Sequence, residues 1–123
     1  MVSTMKRMAL GVAILGAWGV GPAGVAAAHH GWSGYDGSTT LTLTGVIKES
    51  GYEHPHGHIR LEVPGKTWVV VLAPPSRMER RGLPPGDLAV GSKVTVVGYP
   101  NRTDPMEMRA ERIIVNGKTV ELR

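Results

Sequence analysis

Apolar and polar residues alternate at period two through most of the chain beyond residue 40. In 41–47, Leu41, Leu43 and Ile47 share one parity while Thr42 and Thr44 take the other, the pattern of a strand with one buried face. Gly45 interrupts the apolar row at a point where the strand can bend or another backbone can approach closely. In 59–63, Ile59, Leu61 and Val63 form the buried face and Arg60 and Glu62 lie opposite. Pro64-Gly65-Lys66 is turn chemistry. Residues 67–72 read as a third strand, apolar on both faces and therefore central. The three make a meander.

Ala73-Pro74-Pro75 stops the third strand. Ser76, with Glu79 three residues later, predicts a capping box and a short helix through Arg81, which Gly82 ends. A connector rich in Pro and Gly follows over 83–91, then a fourth strand over 93–99 and a polar loop over 100–105. In 107–115 the parity of the apolar residues switches, from Met108 and Ala110 to Ile113 and Val115. A switch inside one strand predicts a bulge. Asn116-Gly117 predicts a tight hairpin, leading to a short sixth strand over 119–122. The order of elements predicts an all-β domain with one short helix over 41–123. It is a small OB-fold-like barrel of five to six strands, whose closure limits exposed edges. A small open β-sandwich is the alternative, and the helix after the third strand favours the barrel.

The first residues read differently. Lys6 and Arg7 precede an apolar run over 9–20, Gly21-Pro22 breaks it, and small residues lead to Ala28. This is the three-part pattern of a secretory signal peptide over 1–28. The apolar run, roughly 12 residues, is too short to span a bilayer as a helix, so no stable membrane insertion is expected once the signal is cleaved. Cleavage fits before Ala28 or before His29, and leaves the protein periplasmic or secreted. Residues 29–40 read as an irregular lead-in. The mature chain, about 95 residues, is enough for one small domain. With no cysteine in the sequence, it has no disulfide to compensate for a small core. The formal net charge of +4 includes Lys6 and Arg7, so the mature excess is mild and nucleic acid is not an expected partner.

Histidine is where chemistry is expected. Three of the five histidines, His54, His56 and His58, alternate in the stretch after the first strand, and the other two, His29 and His30, adjoin the signal boundary. Imidazole suits copper, zinc and nickel. If Ala28 comes first, Ala28-His29-His30 offers an amine, two amides and a third-position imidazole, the square-planar donor set that Cu(II) favours. If His29 comes first, its amine and imidazole chelate together, and an imidazole from His56 or His58 can complete a brace. The expected metal residues are thus His29, His30, His54, His56 and His58, with copper as the expected ion. No thiolate is present for a closed structural zinc site.

Ala28-His29-His30-Gly31-Trp32, then Tyr35-Asp36, Gly45-Val46 in the first strand, and His54-Pro55-His56 resemble the motifs of an uncharacterised family of small secreted bacterial proteins. In that family an Ala-His-His segment opens the mature chain and an Asn-Pro-His triplet follows the first strand. This sequence carries His54 in place of the asparagine. The resemblance spans the mature chain. It implies a periplasmic OB-like domain and no particular reaction.

Other side chains suggest weaker sites. Arg77, Arg80 and Arg81 read as a solvated helix face or an anion site. Tyr52, Trp68 and Tyr99 read as packing or stacking surfaces, Met106 and Met108 as strand packing or sulfur donors to Cu(I). Asp36 reads as a turn residue or a carboxylate partner to a histidine. No nucleophile, base and acid stand in catalytic spacing, and no enzyme activity is expected. Two classes of function remain: a small binding protein for a transition metal, and a non-metal OB-type adaptor that binds a peptide, glycan or envelope protein.

Overall fold

Six strands make one sheet in the order β3-β2-β1-β4-β5-β6, and a parallel pairing of β3 with β5 closes it. The strands are β1 (Leu41–Gly51), β2 (His58–Val63), β3 (Lys66–Val71), β4 (Lys93–Pro100), β5 (Glu107–Val115) and β6 (Lys118–Glu121). One helix, α1 (Pro75–Arg80), and a 3-10 turn at Pro85–Leu88 lie between β3 and β4. This computed structural model describes residues 31–123. Ser33–Arg123 forms one compact unit.

The closed wall runs β1, β2, β3, β5, β4 and back to β1. A closed ring of five strands with a helix after the third is the order expected from the sequence; the parallel contact between β3 and β5 is what closes it, and β6 is added outside the ring. Two devices let so few strands close. Lys48 is an extra residue in β1, since Ile47 faces Leu61 while Glu49 faces Arg60. Glu111 is the extra residue in β5, since Val97 faces Arg112 while Gly98 faces Ala110. The bulge at Glu111 is the predicted parity switch: Met108 and Ala110 are buried before it and Ile113 and Val115 after it. It also divides β5 between two partners. Residues 107–109 pair with β3, and 112–115 pair with β6. Gly45 acts as its position suggests. A Cβ there would strike the Glu62 carbonyl, so only glycine lets β2 pass.

The core holds Ile47, Ile59, Leu61, Val70, Val94, Val96, Met108 and Ile113 from the strands, with Met78 from α1 and Leu83 and Leu88 from the connector. Leu41, Leu43 and Val63 pack against it half-buried. Each fully buried aliphatic side chain contributes roughly 1.5–3 kcal/mol, which offsets the entropy of ordering the chain without disulfide help. Asn116 and Gly117 both have positive φ, 51° and 75°, as the two-residue turn between β5 and β6 requires.

Two local expectations differ. The helix starts at Pro75 with Pro74 as its N-cap, and no side chain caps it. Proline at the first helical position needs no cap acceptor for its own nitrogen, because it has no N–H, and the Ser76–Glu79 box does not form. The arginine face of α1 is not simply solvated either. Arg77 donates to the Leu122 carbonyl at 3.1 Å, and Arg81 donates to the carbonyls of Glu121 and Arg123 at 2.8 and 2.9 Å. These arginines cover backbone acceptors at the end of the chain, which β6 would otherwise present as an open edge.

Candidate functional site

The histidine loop is built by the two glycines that bracket it. Gly57 is buried. Its N–H donates to the Ala73 carbonyl at 2.9 Å and its carbonyl accepts from Leu72 at 2.8 Å, which stitches the loop to the end of β3. A Cβ on Gly57 would meet the Met78 side chain at 2.5 Å. Gly51 pairs with His58 across β1 and β2, and a Cβ on it would meet His58 Nδ1 at 2.7 Å. Glycine at 51 thus makes room for the His58 ring. Tyr52 is anchored on the other side, its hydroxyl donating to the Leu83 carbonyl at 2.7 Å. Tyr52 packs against the core and is not a stacking platform.

This scaffold sends the three loop histidines in different directions. His54 is exposed. His58 stands between two carboxylates, with Nε2 at 3.9 Å from Glu49 and Nδ1 at 3.9 Å from Glu53. His56 turns to β5, where its Nε2 lies 3.4 Å from Arg109 Nη2. A nitrogen that accepts from a guanidinium leaves the imidazole proton on Nδ1, so this contact competes with a metal ion for Nε2. Among the described residues, no group of three or more His, Cys, Asp or Glu side chains comes together as a metal site. His29 and His30 lie outside the described residues.

Around Arg109 lies a polar cluster that the sequence does not announce. Arg109 is 7% exposed, with the Tyr35 ring 5.9 Å from its guanidinium carbon. The Tyr35 hydroxyl donates to Glu107 Oε2 at 2.6 Å, and Asn101 Nδ2 donates to the same oxygen at 2.9 Å. Burial, and then the Glu107 carboxylate, push the Tyr35 phenol far above its ordinary value. Tyr35 reaches this place because the lead-in joins the barrel. Tyr35 bridges to Asn101, Asp36 N–H donates to the Pro100 carbonyl at 2.9 Å, and Arg102 N–H donates to the Gly34 carbonyl at 2.9 Å. Asp36 itself closes the turn, accepting from Ser38 and Thr39. Those bonds, the Ser38 hydroxyl first, hold its carboxyl below the usual range. Its role is therefore in the turn. Period-two reading places Arg109 outward between Met108 and Ala110, as an ordinary solvated strand residue. Nothing in local alternation shows that the lead-in and the loop would meet over it.

A model of DUF6152, a family of unknown function, matches residues 19–108. The chain belongs to this family. No curated protein matches the sequence. The DUF6152 match takes in the histidine loop, β1 to β4, α1, and the Tyr35, Asn101 and Glu107 positions. It ends before Arg109, the bulge in β5 and β6.

The other candidate residues of this DUF6152 protein have structural roles. Lys66 Nζ stacks 3.5 Å from the centroid of the Trp68 ring and donates to the Pro105 carbonyl. Tyr99 donates to Glu111 at 3.1 Å. Met108 is fully buried while Met106 is 46% exposed, so the two sulfurs do not face one ion. An open groove of about 1100 Å3 lies elsewhere, between Thr44–Val46 of β1, the β2–β3 turn and Met106.

His56 carries a pH prediction. Burial, then Arg109 and Arg77, lower its pKa below the ordinary 6.5. The unfolded chain therefore binds a proton at a higher pH than the folded one. Stability should be level above about pH 6.5 and should fall as the pH drops from there through the folded value. Urea unfolding at several pH values, compared between wild type and His56→Gln, measures this. The glutamine variant should lose less stability between pH 7 and pH 5, and an equal loss would remove His56 from the account.

Proposed function

We propose that the protein is a small exported binding protein that takes a transition-metal ion, copper, through histidine. The observation that carries this reading is the setting of His58. Two donors that each lie about 2.0–2.1 Å from an ion are at most about 4 Å apart, and His58 Nε2 and Glu49 Oε1 are separated by 3.9 Å. Glu53 faces the other ring nitrogen. A carboxylate that accepts a hydrogen bond from the second ring nitrogen orients a metal-ligating imidazole and raises its basicity, and Glu53 needs to close by less than about 1 Å to do so. Copper accepts imidazole and oxygen donors. The sequence Ala28-His29-His30 supplies a separate and complete donor set at the expected mature N-terminus. His56, turned to Arg109, is the poorest of the histidine ligands.

Titration of the exported protein with Cu(II), followed by electron spin resonance, tests the proposal. His29→Ala with His30→Ala should weaken the tightest binding by at least about tenfold, roughly 1.4 kcal/mol. His58→Ala should remove a weaker event, and His56→Ala should leave both in place. Binding no tighter than that of a variant lacking His29, His30 and His58 would end the metal reading. The groove beside β1 and the β2–β3 turn, with Val46 and Met106 exposed at its rim, supports the second reading, an adaptor that holds an extended peptide. Cross-linking from Thr67 to a partner in the envelope, undisturbed by copper chelation, would favour it.

A further inference from the structure

We infer that Asn116, at the tip of the hairpin between β5 and β6, is a site of spontaneous hydrolytic deamidation whose products loosen the clamp between that hairpin and the connector before β4. The chain has two asparagines, Asn101 and Asn116, and asparagine is a thermolabile side chain. The reaction needs the main-chain nitrogen of the following residue free to attack, a side-chain carbonyl carbon within its reach, and water. Asn116 and Gly117 are both exposed. The Gly117 N–H donates to no acceptor among the described residues, and the hairpin closes through the pairing of Val115 with Lys118. Gly117 has no Cβ to crowd the attack. The Asn116 side chain is held by one long bond, from Nδ2 to Asp87 Oδ1 at 3.3 Å. Asn101 is the contrast. The nitrogen that follows it, Arg102 N–H, is committed to the Gly34 carbonyl at 2.9 Å. Its side chain is locked at both ends: Nδ2 donates to Glu107 at 2.9 Å, and Oδ1 accepts from the main-chain N–H groups of Thr103 and Asp104, each at 2.9 Å. Folding therefore protects Asn101 and leaves Asn116 open.

In the first step the Gly117 nitrogen bonds to Asn116 Cγ, the Cγ–Nδ2 bond breaks, and ammonia leaves carrying the Gly117 proton. Water then opens the cyclic imide. Attack at Cγ gives aspartate, and attack at the Asn116 main-chain carbonyl gives isoaspartate, whose backbone runs through the former side chain. No oxidant or reductant takes part. Either product carries a carboxylate beside Asp87, the centre of the clamp. Asp87 Oδ2 pairs with Lys118 Nζ at 2.7 Å, and Lys118 also donates to the Gly82 carbonyl at 2.6 Å. These contacts join the hairpin to the 3-10 turn and to the segment that follows α1. The asparagine donates into Asp87, whereas an aspartate places a second carboxylate there, and the two repel. Isoaspartate also adds a methylene to the backbone of a two-residue turn. That turn sets Lys118 opposite Val115 and Val120 opposite Ile113. Val120 and Leu122 are buried in the core, so a shift of β6 disturbs core packing.

Peptide mapping by mass spectrometry tests the site on the exported protein, aged in warm, mildly alkaline buffer both folded and, in parallel, unfolded in urea. Each converted position shows NH2 exchanged for OH. Folding should slow conversion at Asn101 by at least about tenfold and at Asn116 by no more than about threefold. Scaling each position to the unfolded chain removes the intrinsic difference between Gly117 and Arg102 as neighbours. The converted protein, separated from the fresh form by its added negative charge, should unfold at a lower urea concentration. Asn116→Asp, which needs no ageing, should reproduce the part of that shift that charge alone causes. Equal protection of the two asparagines by folding would overturn the site. So would loss of ammonia with the Lys118 amine joined to Asn116 in place of water, or an unchanged urea midpoint in the converted protein.

Discussion

Gly98→Val should leave little folded protein at 25 °C. Gly98 faces Ala110 across the bulge between β4 and β5. A Cβ there would lie inside the van der Waals shell of the Arg109 carbonyl and 2.8 Å from the Ala110 Cα. Both are backbone atoms in a paired strand, so neither can swing aside as a side chain would. Relief requires β4 to separate from β5, and β5 is the strand that closes the barrel onto β3 and carries β6. The expected cost is several kcal/mol, comparable with the roughly 5–15 kcal/mol that holds a domain folded. Circular dichroism and urea unfolding would show it as a lost transition. A matched change at an unconfined glycine, Gly86→Val, should cost far less, because a Cβ there meets nothing within 4 Å. If Gly98→Val kept the wild-type midpoint, the close approach at the bulge would be wrong.

Leu61→Ala should cost about 2–5 kcal/mol, the range for a large side chain deleted from a core that only partly collapses. Leu61 is fully buried, faces Ile47 on one side and Trp68 on the other, and sits in the middle of β2. Strands pair with it on both sides, so the wall has little freedom to close over the lost volume. The urea midpoint should fall while the slope of free energy against denaturant stays the same. Thr42→Ala, on the exposed face of β1, should change stability by no more than about 0.5 kcal/mol. A loss at Leu61 of the same size as at Thr42 would mean that β2 does not line the core. Because β2 begins at His58, a loosened β2 should also weaken any binding at that histidine.

Much of the fold could be read from alternation because a strand buries one face and the period is two. Ile47, Ile59, Leu61, Val94 and Val96 are all buried and all stand at the parity that alternation assigns. The bulge in β5 was legible for the same reason, since an extra residue must flip the parity that follows it. The helix start was not legible, because Ser76 with Glu79 and Pro75 at the first helical position are both good N-terminal signals. The chain uses the proline.

The loop histidines show where local reading stops. The sequence by itself determined that three imidazoles alternate over 54–58, that Gly57 separates His56 from His58, and that the chain has no thiolate to help them. Tertiary structure decided that they do not converge. Gly57 is tied to Ala73 and Leu72, which turns His56 toward β5, while pairing with Gly51 holds His58 beside Glu49 and Glu53. Arg109 belongs to the same lesson. Its parity is plain in the sequence, but its burial depends on Tyr35, 74 positions earlier by number, and on His56, 53 positions away. Alternation reports which face of a strand a residue occupies. It carries no information about which distant segment covers that face, because such contacts are set by barrel closure and by where the lead-in pairs, and neither leaves a periodic trace.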